Sequence, residues 1–340
     1  MRKSIKMFGA MALVGALAFS TSCKKNDQTS STTVSMPQVK IVDVDSERAY
    51  IDYENGNVMK WEDGDQIMIY NLHRVYTRSE RKLYDIDEGY NGATHAMFHG
   101  DPMHRPYGDG YLVFYPAWKV SGDLQEGNRQ DFEVPAEQNY QFGMFQPRAD
   151  RQSLVMAGKV AQLDEESCLH HIFGFANFRV RGDSLPEGYV GKQVKNVVLH
   201  SNSIHVTGKV SVKLPGVDPD QLLDLINQCE SAQTDDDKAA YWNALRNYLY
   251  SDEVGYDSYD QGFDVTLNCD QGGTVMMGSQ VNHFLFSLRP GCLIDGFTLT
   301  INFVDEDLAP VVITKYQNSN WRYCVYPGML KNFNCNFTIQ

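Results

Sequence analysis

Apolar and polar residues alternate along this chain with a period of two. Ile204, Val206, Gly208, Val210, Val212 and Leu214 are interleaved with His205, Thr207, Lys209, Ser211 and Lys213, which predicts a strand with one buried and one solvated face. The same alternation returns at Phe263, Val265, Leu267 and Cys269, at Phe297, Leu299, Ile301 and Phe303, and at Phe333, Cys335, Phe337 and Ile339. In the first half, Asp63-Gly64 between VMKWE and DQIMIYN predicts a hairpin, because a type I′ turn needs positive φ at both central residues. Tyr111 to Pro116 and His171 to Gly182 supply further strands. Many short strands separated by Gly, Asn, Asp and Pro predict a mainly β fold of antiparallel sandwiches. The polar, glycine-rich run from Arg181 to Gln193 divides the pattern into two domains, 46–185 and 186–340.

One segment follows a different period. From Asp218 to Ser251 the pattern is helical: Asp218 is placed to cap, Pro219 suits the first turn, and Leu222, Leu223, Leu225 and Ile226 form a stripe. A second helix starts at Thr234 with an acidic first turn, Asp235 to Asp237, and continues through Ala239, Tyr241, Trp242, Leu245 and Leu249. Residues 218–251 therefore predict a helical hairpin inserted among the strands of the second domain.

The amino terminus changes the picture from a plain β protein to an anchored one. Arg2, Lys3 and Lys6 precede a charge-free apolar run from Met7 to Phe19, too short for a bilayer of about 30 Å and built like a secretory signal. The run leads through Ser20, Thr21 and Ser22 to Cys23 and then to a polar tract ending near Ser35. Cys23 resembles the cysteine of a lipobox, with small residues before it, a signal peptide over 1–22 and a lipidated tether with a first strand over 23–45. The competing reading is an ordinary signal peptide followed by an unpaired cysteine. An exposed thiol there would be reactive, whereas a polar tether is what a lipid-anchored domain needs.

Loss of Arg2, Lys3 and Lys6 with the signal would take the formal net charge from −13 to about −16. Without clustered Lys and Arg there is no counterion-release footprint, so nucleic acid is not an expected partner, and the membrane is reached through the lipid alone. The six remaining cysteines, Cys168, Cys229, Cys269, Cys292, Cys324 and Cys335, contain no CxxC spacing, which argues against a zinc knuckle or a thioredoxin-like site. Two readings stay open for them: buried thiols on the apolar phase at Cys269 and Cys335, or a disulfide, with Cys324 and Cys335 flanking the turn signal Pro327-Gly328.

Candidate chemistry is sparse. There is no GxSxG elbow, HExxH helix, P-loop or GxGxxG after a strand. His95, His99 and His104 lie at loop spacing for a metal, but Ala96 and Phe98 read as the inward phase of a hairpin that leaves the histidines solvated. Cys168 adjoins His170 and His171, yet neighbouring strand residues point to opposite faces, so at most one imidazole approaches the thiol. The acidic run Asp252 to Asp264 lacks calcium-loop spacing and reads as a solvated loop. No catalytic residue, metal or cofactor is expected, and the chain reads as a non-enzyme.

The more informative element follows the tether. QVKIVDV, Gln38 to Val44, predicts a short strand that ends at the polar DSER, where Arg48 is exposed to a protease. Cutting there would detach strand and lipid together, leaving an apolar groove with unpaired backbone groups for another chain's strand. The plainer reading makes Arg48 a surface residue leading into the first strand. Together with this leader, WEDGDQIMIYN from Trp61, AMFHG from Ala96, YLVFYPA ending at Ala117, VPAEQ from Val134, CLHHIFGFANFRV from Cys168 and FLFSLRPG…GFTLTINF in the second half resemble the fimbrillin family. These are lipoprotein pilins and accessory subunits of type V pili in Gram-negative anaerobes of the Bacteroidales. The resemblance implies two tandem transthyretin-like sandwiches, an outer-membrane lipoprotein acylated at Cys23 and exposed on the surface, and other pilus subunits as partners by β-strand addition. It also implies trimming by an arginine-specific protease, for which Arg48 stands in the matching context. The helical insertion, and a chain end with no spare strand to donate, favour an accessory, tip or anchor subunit serving adhesion. A surface glycan-binding lipoprotein is the alternative, with Tyr256, Tyr259 and Trp118 as stacking platforms for host or bacterial glycans.

Overall fold

The computed structural model describes residues 38–40, 60–72, 80–106, 110–119, 124, 128–142, 147–148, 155–214, 216–251, 257–270, 275–292, 296–315, 324–328 and 330–335, all within the compact unit Ser35–Gln340. Cys23, Arg48 and the tether lie outside the described residues. What is described is mainly β, with two α-helices among the described residues.

The largest sheet has eight strands in the order Glu166–Cys168, Gln38–Lys40, His95–Gly100, Arg81–Ile86, Gln66–Asn71, Tyr111–Tyr115, Met156–Val160 and His170–His171. Its sixth strand, Tyr111–Tyr115, is buried along its whole length, which explains why YLVFY lacks alternation: both faces of the sheet are covered there. On one face Ile67, Ile69, Val113, Tyr115 and Met156 meet Phe175, Leu285 and Leu330 of a three-stranded sheet. On the other, Tyr70, Leu112, Phe114 and Ala157 meet Phe132, Val210 and Val212 of the sheet formed by Arg129–Val134, Thr207–Lys213 and Asp257–Gly262.

The other face of the three-stranded sheet that carries Phe175 takes part in a second layered pair. Val281–Leu288, Gly174–Arg181 and Leu330–Cys335 form one sheet; Val311–Lys315, Phe297–Phe303, Val194–Ser201, Asp264–Asn268 and Glu137–Asn139 form the other. Phe178, Phe286, Phe297 and Phe333 fill the space between them, with Phe178 stacked on Phe333 and edge-on to Phe286 and Phe297. The predicted alternation of Phe297–Phe303 is reproduced residue by residue. Phe263 departs from its predicted phase: it sits in the bend before Asp264–Asn268, is exposed, and rests on the His205 ring 4.2 Å away.

Pairing runs across the boundary expected at residues 185 and 186. Gly174–Arg181 pairs with Val281–Leu288 and Leu330–Cys335, Arg129–Val134 with Thr207–Lys213, and Glu137–Asn139 with Asp264–Asn268. The helices, α1 at Pro219–Ser231 and α2 at Asp235–Leu249, begin as the caps predict. The Asp218 carboxylate accepts from the Asp220 and Gln221 N–H groups, and Thr234 Oγ1 from that of Asp237. Tyr248 ties the two helices together, its hydroxyl accepting from the Asp218 N–H at 2.7 Å. Leu222, Ile226, Leu245 and Leu249 carry the hairpin into the core shared by Phe114 and Phe132, so it packs against strands of the first half of the chain.

Two local expectations give way to tertiary pairing. Val58 and Met59 lie outside the described residues, and the described part of the expected hairpin pairs elsewhere: Trp61 exchanges backbone hydrogen bonds with Ala93 and Gly92, while Gln66–Asn71 is flanked by Arg81–Ile86 and Tyr111–Tyr115. Within the acidic run, whose residues 252–256 lie outside the described residues, Asp257–Gly262 is a strand antiparallel to Thr207–Lys213, with a bulge at Gly208 and Lys209. Among the described residues it is an edge strand, a place where charged residues are common and mask the strand pattern.

Candidate functional site

The feature that stands out chemically is a slot in the eight-stranded sheet. Gln38–Lys40 lies between two strands distant in sequence: it runs antiparallel to His95–Gly100, with Val39 opposite Ala96, and parallel to Glu166–Cys168, with Val39 opposite Ser167. Ala96, Phe98, Ser167 and Leu169 beside it are buried. Among the described residues Glu166–Cys168 has no other strand partner.

Both walls of this slot are held independently of its occupant. His95–Gly100 forms a hairpin with Arg81–Ile86, Asp85 opposite His99 and Ile86 opposite Phe98. The other wall is set by a turn in which the Glu165 carboxylate accepts from the N–H groups of Ala161 and Gln162 at 3.1 and 3.2 Å. It then passes so close over Met156–Val160 that a Cβ on Gly158 would lie 2.3 Å from the Cys168 carbonyl oxygen and 3.0 Å from Ser167 Oγ. Only glycine allows that approach. With strands spaced about 4.8 Å apart, removing Gln38–Lys40 would leave walls about 9–10 Å apart, one strand wide, lined by the buried Ala96 and Phe98.

Under the wall His95–Gly100 lies the Trp61 motif. The indole is fully buried, edge-on to Phe98 at 5.0 Å and to Tyr115 at 5.1 Å. Gly64, at φ +85°, turns the chain beneath it. Asp65 locks the turn: its carboxylate accepts from the Glu62 N–H at 2.7 Å and from the Tyr115 hydroxyl at 2.8 Å. Burial pushes the Asp65 carboxyl up from 3.8 to about 6, against the opposing pull of the Tyr115 hydroxyl. A folded-state pKa raised in this way stabilises the fold below about pH 4 and is lost as the pH climbs through 6, because the native state binds the proton more tightly than the unfolded chain. In urea titrations at pH 4 and pH 7, wild type is expected to lose about 2–3 kcal/mol relative to Asp65→Asn. Equal losses in both proteins would mean that the carboxyl titrates normally.

The histidines singled out from the sequence do not converge. His99 Nδ1 lies 2.6 Å from Asp87, His104 Nδ1 lies 3.1 Å from Glu80, and the His95 ring is edge-on to Tyr90. Among the described residues no three His, Cys, Asp or Glu side chains gather in metal-binding geometry. His171 is buried against the Phe175 ring, while His170 is half-buried. Of the aromatic platforms, Tyr256 and the Tyr259 side chain lie outside the described residues. Trp118 is 59% exposed, with the Lys119 ammonium 5.0 Å from its ring centroid, which leaves the other face of the ring for stacking. No described helix is long and apolar enough to cross a membrane.

No family model matches this sequence, and no curated protein does. Among solved structures it is similar to a candidate cell adhesion protein from Bacteroides uniformis, at 12% identity and a TM-score of 0.46, over 88% of this chain and 91% of that one. It is also similar to a fimbrial protein from Bacteroides ovatus, at 11% identity and a TM-score of 0.37, over 89% of this chain and 49% of that one. A third is a fimbrial assembly protein from Parabacteroides distasonis, at 10% identity and a TM-score of 0.29, over 82% of this chain and 98% of that one. The structures this chain resembles are thus described as adhesion and fimbrial proteins, at a distance too great to carry function across to it.

Proposed function

We propose that this chain is a fimbrillin-like surface lipoprotein, an accessory, tip or anchor subunit of a pilus serving adhesion, built as tandem transthyretin-like sandwiches that share strands across residues 185 and 186. Cys23 carries the lipid that holds it at the outer membrane. Its chemistry is strand exchange: a cut at Arg48 frees Gln38–Lys40, and a neighbouring subunit's strand takes the vacated place. The observation that supports this most directly is the position of Gln38–Lys40 inside the sheet, paired on both edges, with both walls anchored elsewhere. A strand at the outer edge of a sheet would leave no groove on removal; an interior one exposes two rows of backbone groups and the apolar wall residues beside them. Arg48 follows Lys40 by eight residues, so one cut separates strand and lipid from the body.

The expected result with an arginine-specific protease is cleavage after Arg48 and conversion of monomer to higher oligomers on denaturant-free gels. Arg48→Ala should remain whole and monomeric. An excess of the peptide QVKIVDV should suppress the oligomers by refilling the slot. A body trimmed after Arg48 that stays monomeric without peptide sinks the proposal. Mass spectrometry of the mature amino terminus tests the anchor separately: an acylated Cys23 is expected, and an unmodified one excludes it. A surface glycan is the second ligand class proposed, on the exposure of Trp118; on a glycan array, Trp118→Ala would then lose the signal.

A further inference from the structure

We propose that Cys292 and Cys324 form a cross-strand disulfide that closes the chain around the strands Phe297–Phe303 and Val311–Lys315. The observation is one of register. Gly291–Cys292 and Cys324–Val325 form a two-stranded antiparallel ribbon in which Cys292 is directly opposite Cys324 and Gly291 opposite Val325. Directly opposed residues of an antiparallel pair have α-carbons about 4.5–5.5 Å apart and present their side chains to the same face. That separation lies inside the range of about 4.4–6.8 Å that disulfides span.

The opposition is fixed by packing on both arms of the ribbon. One arm continues from Val281–Leu288, whose last residue is fully buried. The other is clamped just beyond Cys324: Val325 and Tyr326 are buried, and the Gly328 N–H donates to the Phe173 carbonyl at 2.9 Å. A Cβ on Gly174 would lie 2.4 Å from both the Tyr326 carbonyl oxygen and Val325 Cγ1, so the backbones are in close contact there. A shift of register would have to break these contacts.

Two other cysteines are set aside by their surroundings. Cys269 and Cys335 carry free thiols, both fully buried, and burial pushes each up to about 12. Thiols so placed make little thiolate for exchange. Cys335 stands opposite Val180 in the parallel pairing of Leu330–Cys335 with Gly174–Arg181, so the ladder gives Cys324 a different neighbour from the one its flanking turn suggested.

Formation needs an oxidant, a disulfide-bearing small molecule or protein such as an oxidising compartment supplies; this part rests on the export reading above. The thiolate of one cysteine attacks the external disulfide and expels one thiolate. The second cysteine, deprotonated, then attacks the mixed disulfide and expels the other. Two protein thiols and one external disulfide give one protein disulfide and two external thiols. The bond ties the hairpin of Phe297–Phe303 and Val311–Lys315, the latter an edge strand among the described residues, into a covalent loop, lowering the entropy of the unfolded chain.

The test uses the full chain, reduced and then exposed to oxidised glutathione in its folded state, alkylated, digested and mapped without reductant. A peptide pair linked through Cys292 and Cys324 is expected, and it should vanish in Cys292→Ser and in Cys324→Ser. Reductant should lower the Tm of wild type by about 5 °C and leave the double variant unchanged. Recovery of both cysteines alkylated, or of a link from either to another cysteine, overturns the proposal. Alkylation in intact cells separates the two readings: a pair that forms with glutathione but is found reduced in cells stands as geometry and removes the export reading.

Discussion

Replacing Trp61 with alanine is expected to lower the unfolding free energy by about 3–5 kcal/mol, the range for truncating a buried aromatic. The indole is fully buried and holds Phe98 and Tyr115 in edge-on contact, so its loss removes both buried area and two aromatic pairs. The void would lie under His95–Gly100, a wall of the slot that Gln38–Lys40 fills. Trp61→Phe should cost much less, for a specific reason: the buried indole N–H finds no acceptor among the described residues, so removing it deletes an unsatisfied donor. Urea unfolding of the two variants checks this. Similar losses in both would mean that the N–H is satisfied and that its hydrogen bond matters more than the ring volume.

Gln138 is expected to be nearly as sensitive. Its side chain is fully buried, with Nε2 donating to the Ser287 carbonyl at 2.7 Å and Oε1 accepting from the Ser287 N–H at 2.9 Å. The carboxamide thus serves the outer edge of Val281–Leu288 as one residue of a missing strand, joining that sheet to the one that contains Glu137–Asn139. Gln138→Leu keeps most of the volume but withdraws a donor and an acceptor from two buried backbone groups. At about 1–3 kcal/mol for each, the loss should reach about 2–6 kcal/mol, with faster hydrogen exchange at the Ser287 amide. Gln138→Glu provides a sharper control. Its carboxyl can donate to the Ser287 carbonyl only when protonated, so its folded-state pKa is raised and its stability should fall as the pH rises through that value. A Gln138→Glu protein whose stability did not depend on this carboxyl's titration would exclude the arrangement.

These two residues mark opposite limits of what is legible. Trp61 announces itself, a tryptophan beside a Gly-Asp turn, and its burial follows from composition. Its pairing does not: the adjacent turn signal predicted a hairpin, whereas its backbone bonds to Gly92 and Ala93. Gln138 gave no signal at all, since a polar residue in VPAEQ reads as surface. Its role comes from Ser287, 149 residues away. Of the candidate site, the strand from Gln38 was readable; its two neighbours were not.

The order of local events was written in the chain itself. Which face of an alternating strand such as Phe297–Phe303 is buried, where α1 and α2 begin, and where an apolar leader meets Cys23 all follow from interactions within a few residues: side-chain period, capping groups, turn φ. Tertiary structure alone decided which strands are neighbours. Backbone N–H and C=O groups are the same at every residue, so alternation states which way a strand faces but not beside what it lies. That is why Gln38–Lys40 could be predicted as a strand yet only the fold places it between His95–Gly100 and Glu166–Cys168. It is also why Cys324, beside a turn that pointed to Cys335, stands opposite Cys292.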